Sequence, residues 1–292
     1  MGLRAKLNAV LVCAFMAGLA MFYFLSEPFL KRAAEEEVLT RARIMMAGAA
    51  GVRKYTAEEV APLLTGEMKI EFHPQTVAAY AATKNFGVLR EQFPDYRYRE
   101  VALNPTNPAS RATDWEADII NEFRAFPNKS ELVTNRDTAQ GPFLFLSRPI
   151  SVKENCLVCH GRWESAPASM IAAYGRDNGF GWKADEISGA QIVSVPMAVP
   201  LQRAHDMRSL FMKLLAVVFI ALAIVLNALL WIVILNPIMR MSRVAGDVSM
   251  GKTDVPEYQR PGSDEIASLS ASFNRMRRTV EQAMKMLGES LK

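Results

Sequence analysis

Cysteine and histidine are scarce in this chain, three of each in 292 residues. Three cysteines exclude a disulfide framework. A tetrahedral zinc site would need a second ligand pair, and the cysteine outside 156–159, Cys13, lies in an apolar run. Strong charge of one sign is also lacking. The 34 Lys and Arg against 30 Asp and Glu leave a formal net charge of +4, too mild to indicate nucleic acid, and no basic run carries interleaved aromatics. No Ser/His/Asp set, phosphate-cradling glycine loop or carboxylate pair stands out, and Gly179-Phe180-Gly181 has no nucleotide-binding context. No enzymatic activity is expected.

What is present is Cys156-Leu157-Val158-Cys159-His160. Two cysteines two residues apart, followed at once by histidine, have the spacing for covalent attachment of c-type haem. Each thiol adds to one vinyl group of the porphyrin, and the adjacent imidazole is held against one face of the iron. The competing redox Cys-x-x-Cys would open a helix after a strand and needs no trailing histidine. One haem c is expected, with Cys156 and Cys159 as thioether attachments and His160 as the proximal iron ligand.

Two long apolar runs set the topology. Residues 7–25 are nearly unbroken in apolar character and, at about 19 residues, long enough to cross a bilayer as a helix. A cleaved signal peptide has a shorter core and a small-x-small site, whereas Phe22-Tyr23-Phe24 stands just before the end of this run. The second run, Leu214 to Leu235, is interrupted by Asn227 and carries Trp231 near its end, a residue suited to the interface. Arg4 and Lys6 flank the first span, and Arg240 and Arg243 follow the second, which places both ends in the cytoplasm. The expected map is a cytoplasmic N-terminus at 1–6, a transmembrane helix at 7–25, an extracytoplasmic domain at 26–209, a second transmembrane helix at 210–235 and a cytoplasmic helical region at 236–290. The protein would be two-pass in the inner (cytoplasmic) membrane, its middle domain periplasmic in a Gram-negative cell. Thioether attachment of haem takes place on that side.

Phe29 to Val52 holds strong helix formers and no proline, predicting a long helix running out of the membrane. Thr56-Ala57-Glu58-Glu59 reads as a capping box opening a further short helix. Beyond it the pattern is α+β. Strands are expected at Lys69–Phe72, Tyr96–Leu103, Phe143–Val152 and Gln191–Val195, and helices at Gln75–Thr83 and Arg111–Phe126. An antiparallel sheet with packed helices suits this order, a PAS-like domain among other α+β folds.

Several motifs then carry a resemblance: Val52–Thr56, Phe72-His73-Pro74 with Ala79–Ala82, Leu103–Pro108, Cys156–Gly161, Tyr174-Gly175, Gly179–Trp182 and Gly189–Pro196. Together, in this order, they resemble the haem-c-binding, PAS-like extracytoplasmic domain first catalogued as a domain of unknown function and known from a cyanobacterial member. The resemblance implies redox or ligand sensing, and in that member a cysteine is the second axial ligand. This sequence departs there, since no further cysteine stands in the external domain. Met45 and Met46 on the outgoing helix, or His73, are the alternative distal ligands, and an empty, gas-binding position is the remaining option.

After the second span, Ile238, Met241, Ala245 and Val248 follow a coiled-coil seam. A connector containing Gly251, Pro256, Pro261 and Gly262 leads to a second seam, Ile266, Leu269, Phe273, Met276, Val280, Ala283 and Leu287. With Pro237, Asp264-Glu265-Ile266 and Phe273-Asn274-Arg275-Met276 in place, this region resembles a HAMP domain. That implies a homodimer through HAMP and the transmembrane helices, relaying a change to a cytoplasmic signalling partner. The expected protein is a membrane-anchored haem c sensor of redox state or a small ligand. The alternative is a c-type cytochrome passing electrons to a redox partner in a larger membrane complex, a reading favoured by the lack of a kinase, cyclase or methyl-accepting region after Leu287.

Overall fold

Four antiparallel strands with helices on both faces organise the stretch from Tyr23 to Ser209, one of two compact units; the other comprises Met1–Phe22 and Leu210–Lys292. The computed structural model describes residues 2–252 and 255–290. In chain order the principal elements are helix α1 (Leu3–Tyr55), α2 (Ala78–Gln92), strand β1 (Arg97–Ala102), α3 (Asp114–Ala125), β2 (Leu132–Thr138), β3 (Gly141–Ser151), β4 (Ile187–Pro196), α4 (Ala198–Leu229), α5 (Asn236–Ser249) and α6 (Glu265–Ser290). The sheet order is β1-β4-β3-β2. The mixed α and antiparallel β architecture with a long N-terminal helix agrees with the expectation from sequence.

Period-two alternation sends successive side chains to opposite faces of the sheet. Tyr98, Leu144, Leu146, Val193 and Val195 meet α1 and α2, while Val101, Phe143, Phe145 and Ile192 meet α3. On α1, Ala34, Val38, Ala42, Met46 and Ala49 are buried at helical spacing, and the alanines let the helix lie close to the strands. On α3, Ile119, Ile120 and Phe123 turn inward. The start of α3 is fixed by Glu116, whose Oε2 accepts from the Thr113 backbone N–H at 2.8 Å and from its hydroxyl at 2.9 Å.

Two expectations are corrected, and one strand stands where none is expected. Lys69–Phe72 is no strand: Glu67–Lys69 forms a 3-10 turn, and Ile70 N–H bonds back to Glu67 O at 2.8 Å, so its amides are satisfied locally. A strand stands instead at Leu132–Thr138, a polar edge whose composition hides it. The capping box at Thr56 does not form. The chain stays helical through Tyr55 into a π-helical turn at Thr56–Val60, and the Thr56 hydroxyl donates backwards to Val52 O at 2.8 Å. With no helix start there, no free N–H groups await a cap.

In the other unit, α1 and α4 both lie in stretches long and apolar enough to cross a membrane. Phe15 meets Phe219 edge-on at 4.3 Å, and the Arg4 guanidinium lies 5.7 Å from the Trp231 ring. A π-helical turn, Leu230–Leu235, joins α4 to α5. Pro237 has no N–H to offer Val233 O four residues back. That carbonyl accepts from Arg260 Nη1 at 2.9 Å, which ties the connector to the junction. Tyr258 O accepts from Ser270 and Asn274, so α6 turns a polar face towards the connector. Leu269, Met276 and Val280 of the second seam are more than two-fifths exposed. The Leu287 side chain lies outside the described residues.

Candidate functional site

β3 ends at Ser151, and the chain turns through a 3-10 helix, Glu154–Cys156, into a single helical turn, Leu157–His160. Residues three apart on successive helical positions share a face, which brings Cys156 and Cys159 to one side. Both thiols are free and half-buried. Burial, and then the neighbouring Cys156, push the Cys159 thiol above its ordinary value.

His160 is held on three sides. Its Nδ1 lies 2.8 Å from Gly179 O, and a carbonyl only accepts, so Nδ1 carries the hydrogen and Nε2 has a free lone pair. The Thr106 hydroxyl lies 3.4 Å from the same nitrogen. Trp182 stacks on the ring with centroids 4.1 Å apart and planes 14° from parallel. The main chain repeats the bond: Trp182 N–H donates to His160 O at 3.1 Å and Gly181 N–H to Gly161 O at 2.7 Å. Burial lowers the His160 pKa, against the opposing pull of the Gly179 carbonyl, so the neutral ring that a metal requires is favoured.

Gly179 has φ +83°, and a Cβ there would lie 2.0 Å from Thr106 Oγ1 and 2.7 Å from Thr106 N. Only glycine allows the orienting carbonyl to come so close. Thr106 and Trp182 belong to sequence motifs far from His160 in the chain, and spacing alone does not reveal that they meet at its ring.

The donor set fits a covalently held haem: two free thiols on one side of a turn, then an imidazole with Nδ1 occupied and Nε2 bare. It does not fit a chelated ion. Among the described residues no three His, Cys, Asp or Glu side chains are grouped to hold one. Cys13 is an exposed residue of α1.

The distal candidates are placed differently from one another. Met46 is 1% exposed in the core between α1 and the sheet, and Met45 is half-buried at its margin. His73 is half-buried, and its backbone N–H lies 3.2 Å from the Met68 sulfur. No hydrogen bond or ring contact joins any of the three to His160 among the described residues.

The profile of the Tll0287-like family matches residues 31–196, and that of the HAMP domain matches residues 229–282. Among solved structures, the crystal structure of a cyanobacterial heme-protein, Tll0287, is similar at 21% identity and a TM-score of 0.44, covering 55% of this chain and 95% of that one. No curated protein matches the chain.

Proposed function

Because this chain belongs to the Tll0287-like family, matched over residues 31–196 and followed by a HAMP domain, we propose that it is a membrane-anchored haem c sensor that relays redox state or ligand binding to a cytoplasmic partner. The observation that carries the reading is the Nδ1–H of His160 fixed on Gly179 O beside two free cysteines. Cys156 and Cys159 hold the group by thioether bonds, and His160 presents Nε2 to the iron. Thr106, Gly179 and Trp182 keep the ring in that tautomer and orientation. One bound haem c supplies an iron able to take one electron or a small ligand. Met46, Met45 and His73 are the candidates for the opposite position.

Residues 7–25 and 210–235 are read as two passes through the inner membrane, with Arg4, Lys6, Arg240 and Arg243 holding both ends in the cytoplasm. The seam residues Leu269, Met276 and Val280, exposed in the single chain, favour a second copy in parallel register. The protein is a relay and not a catalyst.

The test is retention of haem through denaturing electrophoresis, read by peroxidase stain. The full-length protein is expected to keep its haem and Cys159→Ser to lose most of it. A haem that dissociates from the unaltered protein on denaturation overturns the reading. A HAMP cross-linking pattern identical in oxidised and reduced membranes overturns the relay.

A further inference from the structure

Attachment of haem leaves unused a chain of polar side chains that crosses three elements on the α1 face of the sheet. Arg53 of α1 forms an ion pair with Glu100 Oε2 of β1, the two side chains being 27% and 6% exposed. Tyr98 donates to the other carboxylate oxygen at 2.6 Å. Gln191 of β4, which stands opposite Glu100 in the ladder, donates to the Tyr98 oxygen at 2.8 Å.

Position gives this chain its interest. β1 ends at Ala102 and runs on to Thr106, which lies against His160; β3 ends at Ser151 and runs on to Cys156. β4 enters the sheet from the same side, and Gln191 lies in its first half. The carboxylate therefore sits at the end of the sheet where the haem turn is built. Burial works against the charge on Arg53, but the Glu100 carboxylate outweighs it and holds the guanidinium pKa above its ordinary value. A buried ion pair of this kind is seldom worth more to stability than an apolar pair of equal size. Its distinctive property is sensitivity to a charge that changes nearby.

We propose that the Arg53–Glu100 pair reads the charge of the haem iron and passes it to α1. The proposal rests on haem attachment at Cys156, Cys159 and His160. The redox step is Fe(III) plus one electron giving Fe(II), with the electron supplied by an external one-electron carrier and no proton taken up. The positive charge at the iron site falls by one. Arg53 is then repelled less and Glu100 attracted less, so the pair shifts its balance between β1 and the bound group. Arg53 follows the buried stripe Val38, Ala42, Met46 and Ala49 at helical spacing, and a displacement of its side chain acts on the helix that the stripe seats against the sheet. Three residues further on, the chain is π-helical at Thr56–Val60, a form frequent at functional sites.

The test is the midpoint potential of the full-length protein in membranes at pH 8, after haem staining has shown attachment. At an effective dielectric of about 20, a unit charge acting over about 12 Å changes the balance between two charge states about tenfold, which sets the scale of effect a single charge can have. Arg53→Gln is expected to favour the ferric form about tenfold, a fall of about 59 mV for a one-electron couple. Glu100→Gln is expected to favour the ferrous form by a similar factor. Arg53→Lys keeps the charge and is expected to remain within about twofold of the unaltered protein, and Tyr98→Phe to move about twofold in the Arg53→Gln direction. Shifts of the same sign in Arg53→Gln and Glu100→Gln, or none, overturn the proposal, because a purely structural role would move both alike. If either variant fails to accumulate, Tyr98→Phe decides by its sign, and a shift of Arg53→Lys beyond about twofold overturns the proposal. For the movement itself, spin labels at Ile44→Cys on α1 and Val133→Cys on β2, both exposed positions, are introduced with Cys13→Ser. The distance between them is expected to differ between oxidised and reduced protein, and Arg53→Gln is expected to abolish the difference. An unchanged distance in the protein with Arg53 intact overturns the relay through this pair. Absence of haem stain instead overturns the attachment reading.

Discussion

The two faces of the sheet are held by different physics. Under α3 the contact is almost wholly apolar: Phe123, Ile119 and Ile120 against Val101, Phe143, Phe145 and Ile192. Polar contacts are few: Arg124 donates to Ile187 O at 2.8 Å, and Arg99 lies 3.6 Å from Glu116, a buried carboxylate at the start of α3. Under α1 an apolar stripe is accompanied by directional contacts along its length. Glu35 bonds to Asn135, Arg41 to Tyr96, Arg43 to Glu131 with Arg148, and Arg53 to Glu100. Close packing of bulky side chains resists any displacement. Small side chains on a helix, with ion pairs setting its register, allow a second arrangement at modest cost. The comparison makes α3 the anchor and α1 the element able to move.

The largest effect expected from this contrast is on the anchor. Phe123, fully buried, is expected to cost about 3–5 kcal/mol on replacement by alanine, measured by urea unfolding, with the haem spectrum unaltered. A loss below about 1 kcal/mol would break the distinction between the faces. On the α1 side, Met46→Leu conserves volume and is expected to cost less than about 1.5 kcal/mol. It also separates two roles of one residue. A Met46 that only fills the core leaves the ferric and ferrous spectra unchanged, whereas a Met46 that also binds the iron loses a thioether ligand and shifts both.

Local chemistry was legible in the sequence, and contacts between distant segments were not. Cys156–His160 stands out because its three reactive residues lie within one short stretch at a fixed spacing. The order of family motifs followed by a HAMP domain was likewise readable, and the profiles match both. The long helix from the first span was visible in its composition. The strand Leu132–Thr138 was missed because an edge strand needs little apolar character, with five of its seven residues polar. Lys69–Phe72 looked like a strand but has no neighbour to pair with. The meeting of Thr106, Gly179 and Trp182 around His160 depends on a φ of +83° and a backbone approach that no spacing encodes. Glu100 is the plainest omission. A carboxylate in a strand pattern reads as a solvated face, and burial with Arg53 and Tyr98 is visible only after folding.

The smallest expected effect tests the polar half of the comparison at Glu131. Burial alone would raise its pKa, but hydrogen bonds from Arg43 at 2.8 Å and Arg148 at 3.0 Å outweigh this and hold it below the ordinary 4.5. A carboxylate depressed in the folded state stabilises the fold above its unfolded pKa and loses that contribution as pH falls through the folded value. Between pH 5 and pH 3 (the window on either side of 4.5), the unaltered protein is therefore expected to lose stability more steeply than Glu131→Gln. At pH 7 the substitution is expected to cost less than about 1 kcal/mol, since Arg43 is half exposed and solvent screens the pair. Raising the salt concentration should narrow the difference further. Parallel pH profiles for the two proteins would show that Glu131 contributes no charge-dependent hold on α1. The Arg43–Glu131–Arg148 cluster would then be surface decoration, and on the α1 face the directional hold would fall to the buried Arg53–Glu100 pair beside the alanine stripe.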